Sequence, residues 1–121
     1  MEALNMVNGA GLTRQARLTA RGLGELLEHT YYSTYASEFK ASLPLAGYDG
    51  SARRHFRNVA TKGKLRLKTG RLKHVRAIAG FADTPDNRTW IVVILHHHSS
   101  TESTPGFTVH ESIVKWLYSR R

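Results

Sequence analysis

A lysine, a threonine and a glycine stand together at positions 68–70 of the 121-residue sequence, at the end of a run of alternating residues. A lysine ammonium beside a hydroxyl can hold a carboxylate by charge and by hydrogen bond. A glycine on a strand lets another backbone approach closely, because it has no Cβ. Backbone donors there can pair with an extended peptide or with a developing oxyanion. Lys68, Thr69 and Gly70 are therefore candidates for a peptide-binding or acyl-transfer site; the alternative is a chance triplet on a surface strand.

The order of residues around this triplet excludes a phosphate-binding loop. Such a loop carries glycine immediately before Lys-Thr and opens a helix. Position 67 is leucine, and the triplet ends a strand-like run. The triplet therefore does not indicate a nucleotide site.

The segment before the triplet predicts short helices. Thr19 can cap a helix whose leucines recur at helical spacing, the first of them Leu23. A second short helix is predicted over 34–41, because the residue before the following proline avoids the α region. Ser51 is predicted to cap a third helix over 51–56.

The triplet itself belongs to a predicted β region. Positions 64–69 alternate basic residues with apolar or hydroxyl ones, which is the period of a half-exposed strand. A second strand is predicted over 75–81, and the apolar run 90–95 predicts a third that is buried on both faces. The triplet is expected on an edge strand of this sheet.

The last part of the chain predicts a closing helix that covers the sheet. Its apolar residues recur at i, i+4, i+7 and i+8, namely Val109, Ile113, Trp116 and Leu117. Arg120 and Arg121 suit the negative end of its dipole. The predicted fold class is therefore α+β, a three-stranded antiparallel meander flanked by helices.

The composition indicates one basic domain. The sequence has 18 Lys and Arg against 9 Asp and Glu, a formal charge of +9, and no cysteine. This balance favours anionic partners, so a small module that binds nucleic acid or another polyanion is the competing hypothesis. No aromatic residues interleave with the basic ones as a stacking platform would require, so nucleic acid is not the expected partner. No transmembrane or signal segment is predicted, since the longest apolar run spans 91–95.

Four motifs occur in a specific order along the chain: "NGAGLTR" at 8–14, "SLPLAGYDGS" at 42–51, "LKTG" at 67–70 and "AIAGFADTPDNRTWIVVIL" at 77–95. In this combination the chain resembles the C-terminal part of the D-alanyl-D-alanine carboxypeptidase/endopeptidase family, the class C low-molecular-mass penicillin-binding proteins. The resemblance covers nearly all of residues 7–97. Ala10, where the family usually has serine, and Ile78, often leucine, are mild departures.

The resemblance implies roles for particular residues. Lys68 and Thr69 would hold the terminal carboxylate of a peptidoglycan stem peptide or of a β-lactam, and Gly70 would admit the substrate backbone. The Arg71 N–H would form half of the oxyanion hole. Arg14 would bind the free carboxylate of the stem side chain, with an ordinary exposed arginine as the alternative.

The resemblance also implies a larger protein. Residues 1–121 would form a single domain that is a C-terminal fragment of a β-lactamase/transpeptidase-like fold, completed by an N-terminal remainder. The parent would be a periplasmic serine-type hydrolase without metal or organic cofactor. A non-catalytic scaffold made by gene truncation is a further alternative.

Two of the three motifs of penicillin-recognising enzymes are missing or misplaced. These enzymes use Ser-x-x-Lys, Ser-x-Asn and Lys-Thr-Gly, and no Ser-x-Asn occurs in the sequence. Ser37 and Lys40 form a Ser-x-x-Lys, but they follow the turn that the nucleophile precedes in the family. They are therefore interpreted as a surface helix pair, and the isolated chain is expected to be inactive.

The histidine run His96-His97-His98 is the remaining cluster of possible ligands. Neighbours on a strand point to opposite faces, so the three rings cannot converge on one metal ion. A solvated strand end is expected there, and no metal site is predicted.

Overall fold

The computed structural model describes residues 4–10, 13–57, 61, 63–98 and 106–120. Its elements are, in chain order, helices α1 (Ala20–Tyr31) and α2 (Ala36–Ser42), a 3-10 helix (Ser51–Arg54), strands β1 (Leu65–Leu72), β2 (Val75–Asp83) and β3 (Thr89–His97), and helix α3 (Gly106–Ser119). Both strand pairs are antiparallel, in the order β1-β2-β3. The predicted α+β class with an antiparallel meander is confirmed. Within these ranges, no helix combines the length and apolarity that crossing a membrane requires.

The pairing of β1 with β2 depends on one glycine. Gly80 lies opposite Leu67 in the register. A Cβ on Gly80 would overlap the carbonyl oxygen of Arg66 and lie 2.6 Å from the Leu67 Cα. Because these are backbone atoms, they cannot rotate away, and only glycine fits this position.

Helices cover both faces of the sheet. On one face the ring of Phe81 contacts Tyr31 of α1 and Phe39 of α2, with centroids 5.8 and 6.4 Å apart. On the other face Val114 of α3 packs into a buried cluster that includes Ile78 of β2 and Leu65 and Leu67 of β1. Since residues 78 and 81 of one strand point to opposite faces, the sheet lies between two helical layers.

The first helix begins as predicted. The Thr19 hydroxyl accepts a hydrogen bond from the Gly22 N–H at 3.0 Å, which satisfies one of the free donors of the first turn. Leu27 is the buried residue of this helix. The second predicted helix is α2, shifted by one or two residues at each end.

The predicted capping role of Ser51 is wrong. Gly50 precedes the 3-10 helix as its N-cap with φ of 51°, and no side chain caps the helix. The Ser51 hydroxyl instead forms a short hydrogen bond with the Thr69 hydroxyl. The helix is also shorter than predicted, and Phe56, with φ of 55°, places its ring in the core.

The closing helix α3 exists, but the face that it buries is only partly the predicted one: Leu117 packs against the core, and the other three predicted residues do not. Val109, Ile113 and Trp116 are exposed, whereas His110 and Val114 are fully buried. The sequence allows both faces because the residues of each recur at helical spacing. The face with Val114 also contains His110, which makes it appear polar in the sequence. Contact with the sheet selects this face.

The C-terminal turn of α3 is attached to the sheet by a tyrosine and an arginine. The Tyr118 hydroxyl donates to the Asp83 carbonyl oxygen at 2.7 Å. The Arg120 guanidinium lies over the rings of Trp90 and Trp116, 5.6 and 5.1 Å from their centroids. Arg121, predicted to act at the helix dipole, lies outside the described residues.

Strand β3 is less buried than the apolar run predicts. Most of its residues are half-buried, and Leu95 is exposed. In the part of the chain that the structure describes, β3 pairs with β2 alone, so its other edge has no strand neighbour.

Candidate active site

The predicted carboxylate-binding residues are neighbours, but their side chains leave β1 on opposite faces. The Lys68 side chain is exposed and its ammonium donates to the Thr69 carbonyl oxygen at 2.6 Å. The Thr69 side chain is buried beside Ser51. Because strand side chains alternate between faces, the two groups can share one ligand only at the outer edge of β1, the edge that faces away from β2.

This outer edge is covered only along its first part. The Leu65 carbonyl and the Leu67 N–H are bonded to residues 44–46, with N···O distances of 2.9 and 3.0 Å. Backbone groups of successive strand residues point alternately to the two sides. The backbone N–H and C=O groups of the odd-numbered residues of β1 therefore point away from β2. Among these residues, Thr69 and Arg71 lie beyond the segment that covers the edge.

The uncovered part of the edge can accept an extended peptide. Thr69 has an outward carbonyl, which accepts from the Lys68 ammonium of the same strand, and Arg71 has an outward N–H. Neither backbone group bonds to another element among the residues described. Such a pair is what strand addition uses. The Arg71 N–H points outward from this edge, and its role in an oxyanion hole stays a prediction.

The fold by itself does not require glycine at position 70. A Cβ on Gly70 would lie 3.4 Å from the Ala77 Cβ, at the near limit of ordinary contact, and φ is not in the left-handed region. Gly70 therefore differs from Gly80, where the backbone leaves no room. A need for glycine at position 70 would come from a ligand.

Arg14, from the N-terminal segment, lies next to the C-terminal end of β1. Its guanidinium is exposed and donates to the Lys73 carbonyl oxygen in the β1–β2 turn, 3.3 Å away. The structure thus brings an N-terminal arginine to the open end of the strand. Its binding of a substrate carboxylate stays a prediction.

The Ser-x-x-Lys pair is engaged elsewhere. Lys40 donates to both carboxylate oxygens of Asp83, at 2.9 and 3.3 Å, and thereby joins α2 to the sheet. Burial acts to raise the pKa of Asp83, but hydrogen bonds from Thr89 and Lys40 and the nearby positive charge bring it below its usual value. Ser37 is exposed. This arrangement supports the interpretation of Ser37 and Lys40 as a structural helix pair.

The histidine run is only partly a solvated strand end. His97 and His98 are exposed, as predicted. His96 is half-buried under α3, 5.8 Å from the ring of His110. His110 is fully buried, and neither ring nitrogen has a hydrogen-bond partner in the described ranges. Across those ranges, no three His, Asp or Glu side chains are grouped so as to hold a metal ion.

The burial of His110 predicts a loss of stability in mild acid. Burial, and then the neighbouring His96 and His55, lowers the pKa of His110 from 6.5 to about 4. The unfolded chain therefore binds a proton before the folded one does. The contribution of His110 to the free energy of unfolding should be nearly constant above pH 7, fall by about 2 kcal/mol between pH 7 and 5, and level off below pH 4.

Urea denaturation at each pH measures this effect. His110→Leu fills the same buried position of α3 with a side chain that cannot titrate, and it should flatten the pH dependence. The exposed control His97→Gln should retain the pH dependence. Equal pH slopes for wild type and His110→Leu would contradict the assignment.

Sequence reasoning missed two parts of the site. Ser51, considered only as a helix cap and as the last residue of a motif, bonds to Thr69. Residues 44–46, noted only for their helix-breaking proline and their place in a motif, cover the outer edge of β1. A long-range contact has no local signature, so only the motif order pointed to either.

Comparison with known proteins identifies the family. A model of the D-Ala-D-Ala carboxypeptidase 3 (S13) family matches residues 1–119, and the chain belongs to this family. A D-alanyl-D-alanine carboxypeptidase of Actinomadura sp. (strain R39) is 29% identical over an alignment of 97 residues that covers 76% of this chain. The match spans 18% of the length of that relative. The resemblance found in the sequence is confirmed.

Proposed function

We propose that residues 1–121 form the C-terminal part of a serine-type D-alanyl-D-alanine carboxypeptidase or endopeptidase that acts on peptidoglycan stem peptides and binds β-lactams. The observation that carries this proposal is the open outer edge of β1 beside Lys68 and Thr69, in a chain of this family. The small share of the relative that the chain spans supports a larger parent.

In the proposed reaction the substrate lies along the open edge of β1. Lys68 and Thr69 hold its terminal carboxylate, and the Arg71 N–H faces the oxygen of the scissile carbonyl. A serine from the remainder of the protein adds to that carbonyl and passes its proton through a general base to the leaving D-alanine. Water then hydrolyses the acyl-serine ester. Arg14 meets a carboxylate farther along the stem peptide.

The remainder of the protein would complete the sheet. Among the described residues one edge of β3 has no strand neighbour, and this edge, with the half-buried apolar residues of β3, suits a further strand. This arrangement corresponds to a β-lactamase/transpeptidase-like fold, in which residues 1–121 are one part of a single domain. The proposed substrate places the parent in the periplasm, and the proposed chemistry uses no metal or organic cofactor.

The chain by itself should form no acyl-enzyme with benzylpenicillin, because neither of its two Ser-x-x-Lys pairs holds an activated serine. Lys40 of the first pair is bound to Asp83, and Ser112 of the second, Ser112 and Lys115, is exposed on α3 and donates to the Thr108 carbonyl oxygen. The test is intact-protein mass spectrometry after incubation with the drug. The complete polypeptide, which includes the proposed nucleophile, is the matched positive control and should gain the mass of one penicillin. A stable adduct on Ser37 of the chain alone would contradict the fragment proposal, and an unlabelled complete polypeptide would contradict the function.

A further inference from the structure

A short hydrogen bond joins the hydroxyls of Ser51 and Thr69, two residues 18 positions apart. Ser51 opens the 3-10 helix that follows the segment covering the outer edge of β1. Thr69 is 8% exposed, whereas Ser51 is only half-buried, so the pair lies at the boundary between core and solvent. Either oxygen can be the donor in this bond.

A carboxylate ligand would remove this ambiguity. Each hydroxyl has one proton to donate and two lone pairs to accept with, and an ionised carboxylate can only accept. If Thr69 gives its proton to a carboxylate, it cannot also give it to Ser51. Ser51 must then be the donor to Thr69, and the two bonds polarise each other in the same direction.

The Ser51 hydroxyl is not needed to anchor its own helix. A backbone bond from the Gly47 N–H to the Ala52 carbonyl, 3.0 Å long, closes the turn that carries Ser51. Ala52 is fully buried in the core cluster next to it. The Ser51 hydroxyl can therefore form its hydrogen bond with Thr69 without any cost to the helix.

We propose that Ser51 is a positioning residue that orients the Thr69 hydroxyl, by donating to it, toward the carboxylate of the ligand. The inference rests on the proposed function, because it assumes that the ligand of Thr69 is a carboxylate. It assigns no contact between Ser51 and the reacting atoms. Ser51 selects for the negative charge of the ligand through Thr69.

The test compares two substrates in the complete polypeptide: N-acyl-D-alanyl-D-alanine and its C-terminal amide, which lacks the carboxylate charge. Ser51→Ala should lower kcat/KM for the acid by about three- to tenfold, the range of one hydrogen bond. It should lower kcat/KM for the amide by a smaller factor, because a neutral amide oxygen accepts a weaker hydrogen bond from Thr69. Ser51→Thr keeps a hydroxyl and should restore the preference for the acid.

The matched control is Ser112→Ala, which removes an exposed hydroxyl that donates to the Thr108 carbonyl oxygen of the same helix, α3. It should change neither substrate. Equal losses for acid and amide in Ser51→Ala would show a merely structural role and overturn the inference, as would an unchanged preference. If the wild type does not distinguish acid from amide, the proposed carboxylate site itself is wrong, which is a separate result.

Discussion

Gly80→Ala is expected to destabilise the protein by about 3 kcal/mol or more, the range of severe overpacking. The added Cβ would overlap the Arg66 carbonyl oxygen and lie within 2.8 Å of both the Cα and the Cβ of Leu67. No side-chain rotation relieves a clash with backbone, so β1 must separate from β2. Urea denaturation followed by circular dichroism measures the loss.

The same substitution elsewhere gives the control. Gly24 lies inside α1, and a Cβ there meets no atom within 4 Å. Because alanine is the better helix former, Gly24→Ala should raise the free energy of unfolding by about 0.5–1 kcal/mol. Gly70→Ala should be close to neutral for stability, since its contact is ordinary. A Gly80→Ala protein as stable as wild type would show that the two strands are farther apart than described.

Lys68→Ala should reduce acylation of the complete polypeptide by β-lactams and substrates about ten- to hundredfold. A charge-assisted hydrogen bond to a carboxylate in a closed cleft is worth about 1.5–3 kcal/mol. In the structure described, the Lys68 ammonium bonds only to its neighbour's carbonyl oxygen, so the substitution should cost the fold little. The measurement is the acylation rate constant together with the melting temperature of the same preparation.

Two variants define what the lysine supplies. Lys68→Arg should recover only part of the rate, because a planar guanidinium does not replace a compact ammonium beside Thr69. Lys115→Ala removes an exposed lysine of α3 and should acylate at the wild-type rate. Near-normal acylation by Lys68→Ala, or a loss explained entirely by unfolding, would show that the triplet occurs by chance on a surface strand and does not bind the carboxylate.

The sequence was sufficient where a feature depends on neighbours in the chain. The Thr19 cap and the alternation of β1 act over a few residues, so their patterns predicted the elements correctly. The order of four short motifs was sufficient for the family. It also put the Lys-Thr-Gly triplet on an edge strand of the described sheet.

Features that depend on contacts between distant parts of the chain were decided by the tertiary structure. It buried the His110 face of α3, directed Lys40 to Asp83 and joined Ser51 to Thr69. Each outcome is a choice between partners that the local sequence allows equally, and the choice is made by which surfaces meet when the layers pack. The pleat of β1 likewise places the side chains of Lys68 and Thr69, which are adjacent in the sequence, on opposite faces of the sheet. The two side chains can therefore contact the same ligand only at the outer edge of the strand.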